Sequence, residues 1–140
     1  MGNVLGSVRA TSDDKHILVP RLIAGLPLLI LGAKHYIDMD HFRRILEVSG
    51  LPMPELSAVA APAAEILAGV LLLTGFLARV GGLLGIATML PAIVSTVKIM
   101  GIVGDKPFVP PLPVPIVVLL CSAYVLWRGG GAWSGDNCCK

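Results

Sequence analysis

Glu65 is the one ionisable residue between Leu56 and Ala78, in the run LSAVAAPAAEILAGVLLLTGFLA. A helix needs about 20 apolar residues to cross the hydrocarbon core of a bilayer, and this run supplies them. A carboxylate near the middle of such a helix costs roughly 2.5–3.5 kcal/mol on insertion scales. The group is tolerated only where it faces other helices, water or a cation. In one reading Glu65 is buried, paired or protonated, and only pins helix packing, since buried polar groups can fix a register. In the other it is a headgroup, substrate or proton site between helices, the default for an intramembrane ionisable residue.

The cations that could meet it sit at helix ends. Lys34 closes the first apolar run and Lys98 the third, while Arg21 lies one turn inside the first. At 1.5 Å per residue, Glu65 lies roughly 12 Å below the end of its helix near Ser57. Lys34 and Lys98 belong to that same face. Long side chains, with a water between, could bridge about 7–10 Å of depth. Arg21 enters from the opposite face and lies some 12 Å deeper, so it is the poorer partner. Arg21, Lys34, His35, Glu65 and Lys98 are together the expected polar interior.

His35, Asp38, Asp40 and His41 offer imidazole and carboxylate, a donor set for zinc or iron. Lys34, Arg43 and Arg44 share that segment and would repel a dication or compete for the carboxylates. A solvated interfacial segment is the better reading, which leaves His35, Asp38 and His41 as minor metal candidates. No serine stands with a base in a nucleophilic pattern, and Gly129–Gly131 is a plain triple glycine rather than a phosphate loop.

The elements that must position these residues follow from composition. Of 140 residues, 55% are hydrophobic and only 14% charged, where a soluble domain carries about 25% charged residues. Mean hydropathy is +0.82. The balance excludes a soluble enzyme with its own aqueous cleft. A net charge of +2 and the lack of a basic run with interleaved aromatics exclude a nucleic-acid partner. Cys121 reads as a small buried hydrophobe. Cys138 and Cys139 are adjacent, stand just before the last residue Lys140, and lie outside any CxxC pattern.

Four apolar spans are predicted, at about Ile17–Ala33, Ser57–Phe76, Val80–Met100 and Val114–Trp127. The fold class is all-α, an integral membrane four-helix bundle forming one domain over residues 17–128. A polar N-terminal tail (1–16) and a Gly/Cys-containing C-terminal tail (129–140) flank it. The first apolar run lacks a small-residue cleavage site, so it is expected to stay as a membrane helix. Phe42, Ile45, Leu46 and Leu51 predict a short amphipathic helix on the surface between helices 1 and 2, ended by Gly50, Pro52 and Pro54. Ala61, Glu65 and Gly69 share one helical face, and the small residues let another helix approach. Gly81 and Gly85 form a GxxxG pair, and Pro107, Pro110, Pro111, Pro113 and Pro115 make an extended connector. Four spans put both termini on one side. Basic residues divide almost evenly between the faces, and the termini are assigned to the cytoplasm.

Several of these segments resemble the DoxX family of small membrane proteins. The resemblance runs over about residues 17–100. It rests on Arg21-Leu22 at the start of the first helix, Gly32–Lys34 at its exit and the Gly-Leu-Pro-x-Pro-Glu-Leu turn at Gly50–Leu56. Most specific is EILAGVLLLTGFLAR at Glu65–Arg79, followed by an apolar third helix ending near Lys98. The resemblance implies a four-helix bundle in a bacterial inner membrane. It also implies a subunit that anchors or supports a quinone-linked, sulfur- or stress-related redox complex. Glu65 would then be a candidate proton or quinone contact. No cofactor is expected to be intrinsic; a quinone is the expected ligand, and electrons would come from a partner subunit. Expected partners are the lipid bilayer, other membrane or peripheral redox subunits, and further copies of the chain as a homo-oligomer. A non-enzymatic scaffold or assembly factor is the first alternative, and a small oligomeric transporter the second.

Overall fold

The computed structural model describes residues 2–103 and 111–138. Pro107 and Pro110 of the expected connector, and Cys139 of the cysteine pair, lie outside the described residues. Helix α1 spans Gly2–Arg9, and a 3-10 turn at Lys15–Ile17 leads into α2, Leu18–Ile37. There follow α3 (Met39–Ser49), α4 (Pro54–Thr74), α5 (Ala78–Val103), α6 (Pro113–Arg128) and the short α7 (Gly135–Cys138). Every regular element among the described residues is helical.

Three helices are long and apolar enough to cross a membrane: Lys15–Ile37, Pro54–Thr74 and Ala78–Ile102. The fourth expected span is α6, apolar but only 16 residues long. α2 packs chiefly on α4, and α5 on α6, with α4–α5 and α2–α6 contacts closing the bundle. The core they share holds Ile17, Ala24, Leu28, Leu72, Met89 and Val118. The opposite faces leave Leu26, Ile30, Leu83, Val97 and Leu120 exposed. Large apolar side chains on the outside of an all-helical bundle are the surface of an integral membrane protein, where lipid takes the place of water.

Glycine decides how closely the helices approach. A Cβ on Gly69 would lie 2.9 Å from both Gly25 O and Leu29 N, so only glycine admits the α2 backbone there. On α5, a Cβ at Gly81 would meet Leu71 and Leu72 of α4, whereas Gly82 and Gly85 face Ser122 of α6. The GxxxG pair therefore serves two different interfaces, one per glycine. Cys121 packs, partly buried, against the main core.

Turn chemistry sets the ends. Asp38 closes α2 and opens α3, its carboxylate accepting from His41 N at 3.4 Å. Gly50 ends α3 at φ 65° and Gly75 ends α4 at φ 70°, both in the left-handed region that glycine enters cheaply. α3 packs on α4 and α5 through its apolar stripe: Phe42 and Leu46 meet Ala58, with Leu51 and Ala61 alongside. Its polar face, with Asp40, Arg44 and Glu47, is exposed.

The flanking segments pack on the far end of the bundle. Ser12 N donates to Arg128 O at 3.2 Å, and Ala132 N to Asp14 O at 3.2 Å. Asp14 also pairs with Arg128. Asp136 of α7 is 2% exposed. Its carboxylate accepts from Leu77 N at 2.8 Å and Ala78 N at 2.9 Å, capping the start of α5. The N- and C-terminal segments thus meet at one end, beside the α4–α5 turn.

Candidate functional site

The candidate site lies at the other end of the bundle. On α2 the buried stripe runs Arg21, Ala24, Leu28, Gly32, and the same helical repeat continues to His35. On α4 the buried stripe is Ala58, Pro62, Glu65, Ala68 and Leu72. The two stripes face each other, and Gly32 lets them touch. A Cβ on Gly32 would lie 2.9 Å from Pro62 O and 3.1 Å from Glu65 Cβ. Tyr36 adds a bond of 3.1 Å from its hydroxyl to Val59 O.

Glu65 is 3% exposed, and its Oε2 lies 2.8 Å from His35 Nδ1. With Nδ1 protonated, the imidazole donates to the carboxylate. The ring is held from its other side by Phe42 of α3, stacked with centroids 4.0 Å apart and planes 16° from parallel. Three helices therefore fix this one pair: α2 gives the imidazole, α4 the carboxylate and α3 the stacking ring.

Glu65 and His35 stand in the wall of a cavity of about 280 Å³. Leu31, Leu46, Met89 and Pro115 give it apolar walls, and Thr88, Ser95 and Thr96 of α5 add hydroxyls. Lys34 lines it as well but is exposed.

The expected polar interior is brought together only in part. Glu65, His35 and Lys34 share the cavity. The partner of Glu65 is His35, not Lys34 or Lys98. Lys34 stands one residue, about 100°, off the buried stripe, so its ammonium turns outward. Lys98 Nζ instead donates to Ser49 O at 3.3 Å, satisfying a carbonyl at the C-terminus of α3 where a cation is favoured. Arg21 lies at the opposite end, 1% exposed. Its guanidinium donates to Leu72 O (2.8 Å), Leu73 O (3.0 Å), Gly130 O (3.0 Å) and Trp133 O (2.6 Å). Leu72 is seven residues along α4 from Glu65, about 10 Å away. His35, Asp38 and His41 do not converge, and no group of three metal-ligating side chains forms among the described residues.

Two features escape the sequence reasoning above. The His35–Glu65 pair left one signal, since seven residues after Leu28 on the α2 stripe falls on His35. Asp136 has no such signal: its role depends on the chain folding back on itself.

The DoxX family profile matches residues 16–98, more than half of the chain. The chain belongs to the DoxX family. In this DoxX protein the matched region contains α2 to most of α5, and so Arg21, His35 and Glu65. The helix α6 and the C-terminal segment that receives Arg21 lie beyond it. Searches of curated proteins and of solved structures gave no significant match.

Proposed function

We propose that this DoxX protein is a membrane subunit of a quinone-linked redox complex, and that the cavity beside Glu65 receives the quinone head. The observation that carries the reading is the buried Glu65–His35 pair, 2.8 Å apart, on the wall of an otherwise mainly apolar cavity. The fit is one of size and chemistry. An engineered apolar cavity of about 150 Å³ holds benzene, so about 280 Å³ takes a substituted ring head and leaves a prenyl tail outside. A quinone bound there would accept two electrons from a partner subunit and take up two protons.

The chain's own residues would handle the protons. Glu65 Oε2 and His35 Nδ1 hold one between them at a defined place, because Phe42 fixes the ring. The apolar walls keep bulk water from competing. The reading goes with a bacterial inner membrane, α6 as a fourth span of about 24 Å, and both terminal segments in the cytoplasm.

The test is quinone retained by the purified protein, extracted and quantified for wild type, Glu65→Gln and His35→Ala at matched folded yield. A hydrogen bond to a charged group is worth about 1.5–3 kcal/mol. Retention should therefore fall about 10- to 100-fold in Glu65→Gln. Equal retention, or wild-type protein that holds no quinone, would sink this reading in favour of a scaffold.

A further inference from the structure

A second site lies at the end of the bundle away from Glu65. A shallow basin of about 340 Å³ is lined by Ala10, Thr11, Ser12, Arg79, Trp127 and Arg128. Arg79 stands in the first turn of α5, and Arg128 closes α6. Arg79 Nε donates to Ala10 O at 2.8 Å, and no carboxylate pairs with it among the described residues. Arg128 pairs with Asp14 through Nη2, while its Nε is buried without a hydrogen-bond partner among the described residues. Arg79 is thus a guanidinium without a carboxylate partner among the described residues, beside a second guanidinium that keeps one unused buried donor.

The level of the basin is marked by aromatics. Trp127, in its wall, is 74% exposed, and Trp133 on the same end is 65% exposed. Indole rings of this kind favour the membrane–water interface, which is where lipid phosphates lie. We propose that this basin binds the singly charged phosphodiester of an anionic phospholipid. Arg79 supplies the uncompensated charge, Arg128 a second guanidinium, and Trp127 packs on the glycerol and upper acyl region. A soluble phosphate monoester carries about 1.5–2 negative charges, more than the basin balances, and has nothing to place against the indole. The proposal is independent of the quinone reading, since no residue is shared with the Glu65 cavity.

The chain has two tryptophans, so Trp133→Phe leaves Trp127 as the single reporter. This protein is placed in bilayers of phosphatidylcholine containing, at equal mole fraction, either brominated phosphatidylglycerol or brominated phosphatidylcholine. Quenching of Trp127 reads occupancy. A basic residue at an anionic surface favours the anionic lipid about fivefold, so brominated phosphatidylglycerol should quench at a correspondingly lower mole fraction. Arg79→Lys should keep the preference and Arg79→Gln should abolish it, which separates charge from the Nε bond to Ala10. Excess inorganic phosphate should leave the quenching unchanged. Equal quenching by the two lipids, a preference that survives Arg79→Gln, or displacement by inorganic phosphate would each overturn the assignment. If Arg79→Gln does not fold, the comparison of the two lipids on the Trp133→Phe protein decides alone.

Discussion

Asp136→Ala should loosen the whole terminal end of the bundle, although Asp136 lies outside every membrane-length helix. The carboxylate accepts from Leu77 N and Ala78 N at 2.8 and 2.9 Å. These are orphan donors at the start of α5, which have no partner within the helix. At 2% exposure water does not reach the carboxylate to replace it. Leaving one buried donor unsatisfied costs about 1–3 kcal/mol, and loss of a helix cap costs about 0.5–2 kcal/mol. Two donors that can partly relax toward the membrane surface put the loss at about 2–4 kcal/mol. Asp136→Asn keeps one acceptor oxygen and should lose about half of that. The Arg9–Asp136 contact is 3.6 Å long, beyond hydrogen-bond reach, with the Arg9 side chain 30% exposed. Arg9→Ala should therefore cost less than about 1 kcal/mol. The assay is denaturant unfolding in detergent followed by helical circular dichroism, with hydrogen exchange read at Leu77–Val80. The expected order is wild type, Arg9→Ala, Asp136→Asn, Asp136→Ala, from most to least stable. Unfolding of Asp136→Ala at the wild-type midpoint, with unchanged exchange at Leu77 and Ala78, would refute the capping argument.

Two further perturbations probe the α2–α4 seam. His35→Ala leaves the buried Glu65 carboxylate without its side-chain partner. It should cost about 1–3 kcal/mol, with His35→Gln recovering part of the loss in the same unfolding assay. Gly69→Ala drives a Cβ to 2.9 Å from two backbone atoms, Gly25 O and Leu29 N, which cannot rotate away. It should cost about 1–3 kcal/mol. Gly101→Ala, with nothing within 4 Å, should instead stabilise by up to about 1 kcal/mol.

The helices were legible because their causes are local. Apolar runs of membrane length fix α2, α4 and α5, and Gly50, Pro54 and Gly75 mark where the chain turns. The amphipathic repeat of Phe42, Ile45 and Leu46 marks α3. Side-chain pairing was less legible, since depth was reckoned along helix axes while pairing depends on rotation about them. Lys34 and His35 differ by one residue in depth and by about 100° in azimuth, and the second difference is the one that counts. The terminal segments were the least legible. Asp136 lies 58 residues in sequence from Ala78, whose amide it caps. Arg21 reaches Gly130 across a separation of 109 residues. Neither contact leaves a periodicity in the chain.

Arg21 and Glu65, the charged residues buried within α2 and α4, differ in how completely their bonding capacity is used. A guanidinium has five N–H donors and no acceptor. Arg21 makes four hydrogen bonds to backbone carbonyls, ties the end of α4 to the C-terminal segment, and has little capacity left for anything else. A carboxylate offers about four lone-pair sites, yet the side-chain partner of Glu65 among the described residues is His35. Its remaining capacity opens on a cavity rather than on packed backbone. A group meant only to pin two helices would be stabler with every site filled, since unfilled sites in a low-dielectric interior are costly. Gly32 brings α2 against the Glu65 stem, so the seam closes tightly around the Cβ while the carboxylate stays accessible from the cavity. Helix packing thus needs the glycine and the small residues of this seam, and on the proposed reading the acidic group serves the ligand.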